Sequence, residues 1–474
     1  MGGLVIAGDR SGTGKTTVTL ALLAALAKRV PPNDIQSFKV GPDYIDPMFH
    51  QAVTGRPCYT LDPVLTSEAY VQDSYKQHRT TYSVIEGVMG LFDGADPGSD
   101  TGSTAQVARL LNLPVVLVVD CGRLSRSLAA LVLGYQRLDP RLTFAGVVLN
   151  RVGSDRHLDF LQQALASIAV PLLGVFRRET DIALPDRHLG LVPVGELAAF
   201  QPLQGRLADL GTQGFDWERL AQAFTQGGRD RPVPLADRSF PPAPSPTAPG
   251  STVPDPTDRP VIAVARDPAF NFYYPENLAL LEQAGATLQT WSPMTEPLPQ
   301  GVQGLYLGGG FPEVFAAALA ENQAALTGVR AAIANHLPTY AECGGLMYLC
   351  KTLVDFNGQA WPMADVLETT VAMDQRLSLG YRRAQVLSPG PLLPRGTQVI
   401  GHEFHRSRLR SSWGEALYRS QRAFGACDDR PEEAYPEGTV TPSLHASYLH
   451  LHWGARPEIP QRFVAHCRRW GEGI

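Results

Sequence analysis

Hydrophobic residues along the chain fall in short, unbroken runs that end at turn-forming residues. The first run, GLVIAG at 3–8, is followed by a glycine-rich turn and then by KTTVTLALLAALAKRV at 15–30, which has the length and the alanine- and leucine-rich face of a helix. Further runs of this kind in the first half of the chain are YSVIEG (82–87), LPVVLVVD (113–120) and TFAGVVLNRV (143–152). Continuously apolar runs are typical of parallel strands that are covered on both faces. The first half therefore predicts an α/β domain with a mostly parallel sheet.

The alternation of strand and helix begins again in the second half. PVIAVARD at 260–267 has the pattern of a buried strand, YPENLALLEQAG at 274–285 that of a helix, and GLYLGGG at 304–310 that of another strand. We therefore expect an α/β protein with two doubly wound domains.

A proline-rich stretch separates the two halves. Residues 231–260 contain ten prolines. Because proline fixes φ and donates no amide hydrogen, this stretch is predicted to be an extended, semi-rigid tether rather than a helix or a central strand. The predicted division is a first domain at 1–228, a linker at 229–259 and a second domain at 260–474.

The composition excludes several classes of protein. Of the 474 residues, 44% are hydrophobic and 18% are charged, which permits packed cores and excludes wholesale disorder. Lysine and arginine number 41 against 46 acidic residues, and this balance argues against a nucleic-acid partner. The six cysteines include no CxxC pair, so neither a disulfide scaffold nor a zinc ribbon is expected. With no signal-peptide pattern and no apolar run of membrane-spanning length, we expect a cytoplasmic protein without a membrane partner.

The turn after the first strand has the composition of a phosphate-binding loop. It reads GDRSGTGKT over 8–16, a G-x5-G-K-T spacing that is one residue longer than the usual GxxxxGK[ST]. Glycines free the backbone to wrap around phosphate, and the start of the next helix adds its dipole. Lys15 is expected to reach the β- and γ-phosphates of ATP, and Thr16 to bind Mg²⁺. The predicted nucleotide-binding residues of this loop are Gly12, Gly14, Lys15, Thr16 and Thr17.

Polar residues follow several of the predicted strands. FKVGPDYIDP places Asp43 and Tyr44 after one strand, Glu86 ends the next, and Asp93 lies in a glycine-rich loop seven residues beyond Glu86. Ligands of doubly wound sheets bind at the carboxyl ends of the strands, where carboxylates serve as Mg²⁺ ligands or simply as caps and turn formers. Thr16, Asp43 and Glu86 are the predicted Mg²⁺ set. Asn150 ends a third strand and either contacts the adenine edge of the nucleotide or forms a turn.

A second candidate site lies in the other half of the chain. Cys343 falls between strand-like PTYAE and helix-like GGLMYL, and a thiol on such an elbow is expected to be exposed and acidified by the helix start. The alternative is a small buried core residue. The bare amides of Gly309 and Gly310, at the end of a predicted strand, are candidates for an oxyanion hole. Candidate bases near the end of the chain are His445, His450 and His452.

In combination, these motifs carry a family resemblance. GTGKTTVTLALLAAL, FKVGPDYIDP, EGVMGLFDG, YLGGGFPE, AECGG and SYLHLHW together resemble the cobyrinate a,c-diamide synthase family of cobalamin biosynthesis, over nearly the whole chain except the proline-rich stretch. The resemblance implies a dethiobiotin-synthetase-like ATPase followed by a class I glutamine amidotransferase. The implied ligands are ATP with Mg²⁺, L-glutamine and cobyrinate, whose a and c carboxylates would be amidated. Whether the chain forms a homodimer stays open.

The resemblance also implies roles for particular residues. Cys343 would be the nucleophile that attacks glutamine, and His450, which follows SYL, would be its base. The implied substrate-binding residues are Asp43, Tyr44, Glu86 and Asp93. Class I amidotransferases generally carry a glutamate two residues after the histidine, and here that position is His452. We therefore expect a Cys–His dyad, with the group that orients His450 left open.

Three alternatives remain at this point. A hydrogenobyrinate or nickel-sirohydrochlorin a,c-diamide synthase would have nearly the same motifs, and a cobyric acid synthase would share both domains. A MinD/ParA-like ATPase would share only the first domain, because such a switch needs no amidotransferase cysteine. The third is a phosphate-loop domain fused to an inert α/β partner, which glutaminase activity would exclude.

Overall fold

The computed structural model describes residues 2–178, 186–187, 190–197, 200–226, 259–425 and 434–472. They belong to two compact units that divide between Phe240 and Pro241. The predicted linker at 229–259 lies outside the described residues apart from Arg259. The exact ends of the two domains therefore stay predictions.

The first unit is built around a parallel sheet of seven strands. The strands are β1 Gly2–Gly8, β2 Ile35–Val40, β3 Tyr59–Leu61, β4 Tyr82–Glu86, β5 Val115–Asp120, β6 Phe144–Val152 and β7 Leu172–Arg177. Their order is β3-β2-β4-β1-β5-β6-β7, and all of the neighbouring pairs are parallel. All residues of β1 and β2 are buried, as expected for strands covered on both faces. The predicted parallel sheet is confirmed.

Helices cover this sheet. They are α1 Lys15–Ala27, α2 Ile45–Thr54, α3 Glu68–His78, α4 Thr104–Leu110, α5 Ser127–Leu138, α6 Asp155–Ala166, α7 Phe200–Gly214 and α8 Trp217–Gln226. A small antiparallel pair is formed by β8 Asp186–Arg187 and β9 Gly190–Leu191, and single 3₁₀ turns occur at Pro32–Asp34 and Val194–Glu196. Helix α1 is buried over most of its length, which agrees with its alanine- and leucine-rich sequence. The phosphate loop follows β1, which is the central strand of the seven, and the chain continues from α1 to β2 on the far side of β4. The loop therefore lies at the centre of one edge of the sheet.

The second unit contains a mixed sheet. Its strands are β10 Val261–Ala265, β11 Phe270–Phe272, β12 Thr287–Trp291, β13 Gly304–Leu307, β14 Gly309–Gly310, β15 Thr339–Glu342, β16 Cys350–Val354, β17 Ala360–Pro362, β18 Leu367–Val386, β19 Gln398–Leu409, β20 Glu415–Arg422, β21 Tyr435–Val440 and β22 Leu444–Ser447. The eleven-stranded sheet has the order β12-β10-β13-β15-β22-β21-β20-β18-β16-β17, with β19 paired to β18, while β11 and β14 pair separately. From β12 to β22 the pairs are parallel.

An antiparallel extension follows the parallel part of this sheet, and the sequence patterns did not predict it. β18 and β19 form a long antiparallel pair with a register shift between Met373 and Ser378. The polar residues within these strands hide the strand signal, because only some of their positions are buried.

The helices of the second unit are α9 Pro275–Gln283, α10 Ala316–Glu321, α11 Gln323–Ala334, α12 Gly344–Leu349 and α13 Glu458–Gly471. Two apolar clusters form its core. One contains Leu307, Leu346 and Cys350, and the other contains Tyr306, Tyr340 and Trp453. In the part of the chain that the structure describes, no helix combines the length and the hydropathy that a membrane span requires.

Candidate functional site

The phosphate loop joins the buried end of β1 to the start of α1. Gly12 and Gly14 have φ angles of 76° and 88°, which residues with a side chain rarely adopt. A Cβ at Gly14 would also lie 2.3 Å from Nδ2 of Asn150, which donates a hydrogen bond to the Thr13 carbonyl over 2.7 Å. The end of β6 is thus attached to the loop through Asn150. Its predicted contact with adenine stays a prediction.

The first turn of α1 presents the predicted nucleotide-binding side chains. Lys15 is mostly buried, and its Nζ donates to the Arg10 carbonyl over 3.3 Å. Burial lowers the pKa of Lys15, and the positive charge of Lys39 lowers it further. Thr17 is half-buried on the same turn. The Lys15 side chain is therefore held against the phosphate loop by its hydrogen bond to the Arg10 carbonyl.

Three carboxylates from two chain segments meet around Lys39. Its Nζ lies 2.6 Å from Asp46 Oδ2, 3.2 Å from Glu86 Oε1 and 3.6 Å from Asp43 Oδ2. The register of the sheet explains the meeting, because Lys39 of β2 is paired with Glu86 of β4. Burial alone would lower the pKa of Lys39, but Asp46 and Glu86 raise it well above its usual value. The ammonium therefore stays charged and balances part of the carboxylate charge.

Thr16 joins this cluster to the phosphate loop. Its hydroxyl donates to Glu86 Oε1 over 2.7 Å and lies 3.3 Å from Asp46 Oδ2. Burial opposes ionisation of Glu86, but Lys39 and the neighbouring His50 hold the pKa of Glu86 well below its usual range. Burial and the charge of Asp43 raise the pKa of Asp46 to about 7. The hydroxyl and carboxylate oxygens converge at the carboxyl ends of β2 and β4.

These oxygens fit Mg²⁺ in their chemistry. Mg²⁺ is usually held by one or two carboxylates together with phosphate oxygens and water, and Thr16, Glu86 and Asp46 offer such donors beside the phosphate loop. Among the described residues, no group of three or more His, Cys, Asp and Glu side chains is arranged to hold a metal by itself. Asp46, which lies in the FKVGPDYIDP motif, belongs to the cluster although the predicted Mg²⁺ set left it out.

Two further residues extend the cluster and were missed from the sequence. His50 Nε2 lies 2.6 Å from Glu86 Oε2, and His50 Nδ1 lies 3.3 Å from the Cys58 thiol. Burial lowers the pKa of His50, but Cys58 and Glu86 outweigh this effect and raise it to about 10. Asp46 and His50 are four residues apart on α2 and therefore lie on the same face of that helix. Once the helix is known, this spacing indicates that His50 belongs to the cluster.

The remaining predicted residues of the first unit lie near the loop in supporting positions. Asp43 Oδ1 accepts hydrogen bonds from the first amides of α2, at Ile45 over 2.9 Å and Asp46 over 3.1 Å. Tyr44 is buried. Asp93 is exposed, and its Oδ2 accepts from the Gly90 amide over 2.9 Å within a tight turn. Both carboxylates thus have local roles, and their predicted substrate contacts stay predictions.

Arg10 is the exposed cation of the phosphate loop. It pairs with the adjacent Asp9 and lies 3.3 Å from Asp120 at the end of β5, which also accepts from Arg151 over 2.7 Å. Asp120 therefore restrains Arg10 close to the phosphate loop.

Cys343 occupies a strained elbow between β15 and α12. Its φ and ψ are 46° and −97°, and its amide donates to the Ser447 carbonyl over 2.7 Å. Only 4% of the residue is exposed, so the expected exposure is wrong for this structure. Burial raises the pKa of the thiol, and the charges of Glu313 and Glu342 raise it further, instead of the expected acidification. α12 spans only six residues, and its dipole does not offset these effects. The thiol therefore needs a base.

His450 and the two predicted oxyanion glycines lie together near this elbow. A Cβ at Gly309 would lie 2.6 Å from Cε1 of His450, and a Cβ at Gly344, the residue after Cys343, would lie 3.1 Å from the Gly310 amide. The imidazole and the Gly310 amide thus approach the elbow along β14. His450 is completely buried, and its backbone exchanges hydrogen bonds of 3.0 and 2.9 Å with His402 of β19. The structure brings the predicted nucleophile, base and oxyanion glycines to one region.

The other two histidines have different environments. His445 Nε2 lies 3.1 Å from the Tyr418 hydroxyl, and burial lowers the pKa of His445 to about 3. His452 Nε2 lies 3.7 Å from Glu276 Oε1, and its ring lies against Tyr274. His450, by contrast, places Nδ1 at 3.6 Å from Oε2 of Glu342. A carboxylate beside the predicted base was not expected from the sequence.

Comparisons with known proteins agree with the division into two chemistries. Residues 4–192 match the model of the CobQ/CobB/MinD/ParA nucleotide binding domain, and residues 261–458 match that of the CobB/CobQ-like glutamine amidotransferase domain. The chain is 51% identical to the cobyrinate a,c-diamide synthase of a Synechococcus species over 98% of both chains. It is 49% identical to that of a Synechocystis species, over 98% of this chain and 93% of the relative. It is also 42% identical to the hydrogenobyrinate a,c-diamide synthase of Streptomyces coelicolor, over 98% of this chain and 97% of the relative.

Proposed function

The chain belongs to the cobyrinate a,c-diamide synthase family, and from this membership we propose that it amidates the a and c carboxylates of cobyrinate, using ATP and glutamine, in cobalamin biosynthesis. The observation that carries the proposal is the 51% identity to a relative of that name over 98% of both chains. A partitioning ATPase of the MinD/ParA type is disfavoured, because residues 261–458 match a glutamine amidotransferase model. The work is then divided between carboxylate activation and nitrogen supply.

The first unit is assigned carboxylate activation. A carboxylate is a poor electrophile, and transfer of a phosphoryl group from ATP would convert it into an acyl phosphate that ammonia can attack. The amides of the phosphate loop and the Lys15 ammonium hold the phosphates and neutralise charge on the transferred group. Thr16, Glu86 and Asp46 would hold Mg²⁺, which supplies further neutralisation of phosphate charge. Lys39 and His50 keep Glu86 ionised and fixed in place.

The second unit is assigned nitrogen supply. His450 accepts the thiol proton of Cys343, and the thiolate attacks the side-chain carbonyl of glutamine. The amides near Gly309 and Gly310 stabilise the oxyanion that forms. As the C–N bond breaks, the imidazolium returns the proton to the departing ammonia, and water then hydrolyses the glutamyl thioester. The high pKa of the buried thiol makes proton transfer to His450 a required part of this step.

The proposal is tested by incubating the full-length chain with ATP, Mg²⁺, glutamine and either cobyrinate or hydrogenobyrinate, with the products followed by mass. Two successive mass changes for conversion of carboxylate to amide are expected. The identities of 51% and 42% to relatives named for the two substrates favour cobyrinate. Absence of amidation with both substrates would contradict the proposal.

The division of work is tested by Cys343→Ala. This variant should lose glutamine-dependent amidation and keep amidation with added ammonium, because the thiol serves only to release nitrogen. A variant that is equally inactive with ammonium would contradict the assignment of separate roles to the two units. Cys350→Ala is the matched control, since Cys350 is another buried cysteine of the same unit that serves the core.

A further inference from the structure

Glu342 is a buried carboxylate that directly precedes the nucleophile. It is the last residue of β15, only 1% of it is exposed, and its Oε2 lies 3.6 Å from Nδ1 of His450. Burying a carboxylate is costly unless it is paired and hydrogen-bonded. A carboxylate kept in such a position, one residue from the thiol of Cys343, therefore has to be held by specific partners.

The surroundings of Glu342 fix its two oxygens. Oε1 accepts from the Leu451 amide over 3.1 Å and from the Tyr340 hydroxyl. Oε2 accepts from the Tyr306 hydroxyl over 3.4 Å, and this is also the oxygen that faces His450. Because the Leu451 amide belongs to the residue after His450, the carboxylate is attached to the same short segment that carries the imidazole.

That segment is held from the other side as well. The His450 backbone is paired with His402 of β19, and Asn277 accepts from the Trp453 amide and donates to the Leu451 carbonyl. With the backbone held on both sides, the orientation of the imidazole is set by the groups around the ring. A carboxylate at Nδ1 restricts rotation of the ring and favours the tautomer that carries a proton on Nδ1.

We propose that Glu342 is the positioning residue for His450, in place of the glutamate that related amidotransferases carry two residues after the histidine. The inference rests on the proposed function of Cys343 and His450. Nδ1–H of His450 donates to Glu342 Oε2, which leaves Nε2 free of a proton and able to accept the one from Cys343. When Nε2 has taken that proton, the imidazolium lies beside a carboxylate, and the proton then passes to the departing ammonia.

The 3.6 Å separation is an ion-pair distance rather than a formed hydrogen bond, and catalytic hydrogen bonds of this kind often shorten when substrate binds. Titratable groups near His450 also include two histidines of β19: burial lowers the pKa values of His402 and His405 to about 3, and the charge of His450 contributes to the lowering of both. These are cations when protonated and cannot stabilise an imidazolium. Glu342, by contrast, is a carboxylate at ion-pair distance from this imidazole.

The substitution Glu342→Gln in the full-length chain tests the inference. We expect kcat/KM for glutamine to fall by about 10-fold or more, and by up to about 10⁴-fold if tautomer selection dominates, with amidation by ammonium unchanged. Glu342→Asp, which keeps the charge, should recover part of the loss. Glu276→Gln is the matched control, because it makes the same change beside His452 at a similar distance of 3.7 Å and should leave glutamine use unchanged.

A second readout separates positioning from a general effect on the fold or on charge. The pH dependence of Cys343 alkylation by iodoacetamide can be followed by peptide mass. If Glu342 stabilises the His450 imidazolium, Glu342→Gln should move the midpoint of alkylation to higher pH, because transfer of the thiol proton becomes less favourable. If Glu342 acted only through its charge on the thiol, the midpoint would instead move to lower pH, since that charge raises the thiol pKa.

The outcomes separate cleanly. Three results would each overturn the inference. Glu342→Gln could use glutamine as well as the wild-type chain does, its alkylation midpoint could stay unchanged or move to lower pH, or the loss of glutamine use could occur in Glu276→Gln instead. If Cys343→Ala still used glutamine, the proposed function would fail, whatever the behaviour of Glu342. Loss of glutamine use with a raised midpoint and intact amidation by ammonium would establish the positioning role.

Discussion

The contact between Gly14 and Asn150 leads to a prediction that separates two costs of one substitution. Gly14→Ala places a Cβ at φ 88°, which costs about 1–2 kcal/mol for a residue with a side chain. The same Cβ would lie 2.3 Å from Nδ2 of Asn150, so the amide has to move and its 2.7 Å hydrogen bond to the Thr13 carbonyl is lost. A lost hydrogen bond of this type costs about 0.5–1.5 kcal/mol. The expected total is about 1.5–3.5 kcal/mol.

A double-mutant cycle tells the two costs apart. In the background of Asn150→Ala, the amide is already absent, so Gly14→Ala should cost only the backbone part. The coupling free energy is therefore expected to be about 0.5–1.5 kcal/mol, with the two changes together less harmful than the sum of the single changes. Thermal unfolding of the four full-length proteins and their affinity for ATP both report it.

The control is Gly12→Ala, at a similar φ of 76° but with open space around the added Cβ. It should carry the backbone cost and show no coupling to Asn150→Ala. If Gly14→Ala cost the same stability in the wild-type and Asn150→Ala backgrounds, the reasoning would be refuted. The Asn150 side chain would then have no effect on which residue is tolerated at position 14.

Three further predictions address charge. Lys15→Ala should lower the rate of amidation by about 10²–10³-fold with glutamine and with ammonium alike, because activation of the carboxylate precedes the use of either nitrogen source. Wild-type rates in this variant would exclude a role for Lys15 in phosphate binding. Asp93→Asn keeps an acceptor for the Gly90 amide and removes the charge. Both amidations, measured separately, should therefore slow, while the rate of glutamine hydrolysis should not change. Unchanged amidation rates would mean that Asp93 only forms a turn. Burial raises the pKa of Glu437 to about 7. Because this lies above its ordinary value of 4.5, the stability that Glu437 contributes is present below pH 4.5 and is lost as the pH rises through 7, by about 3–4 kcal/mol. Glu437→Gln should remove this pH dependence from the free energy of unfolding, measured by urea unfolding at a series of pH values. A pH dependence identical to that of the wild-type chain would contradict the role given to Glu437.

Local patterns predicted what local geometry determines. The glycines around Lys15 and the apolar runs on either side are contiguous in sequence, so the loop between β1 and α1 followed directly. Glu86 was found because it ends an apolar run, and such a position lies at the carboxyl edge of a parallel sheet. The Cys343 elbow was recognised in the same way, from a strand followed at once by glycines.

Contacts that depend on the tertiary fold were not accessible. The exposure of Cys343 was wrong because the elbow pattern does not reveal that Ser447 and Phe404, from two other strands, lie against it. Glu342 is far from His450 in sequence, and only the pairing of β15 with β22 brings them together. The Cys58–His50 contact likewise joins α2 to the stretch before β3.

The position of β22 has a consequence for how the protein is synthesised. This strand, near the carboxyl end of the chain, lies between β15 and β21 in the middle of the sheet, and its Ser447 carbonyl binds the Cys343 amide. A nascent chain that has emerged only as far as β21 has two sheet segments with open edges, and the edge of β15 beside the nucleophile is unpaired. The elbow at Cys343 is therefore complete only after β22 has been synthesised and paired with β15, by which time the first unit can already have folded. A chain that stops before β22 keeps these edges unpaired and therefore exposes a sheet that is prone to aggregate.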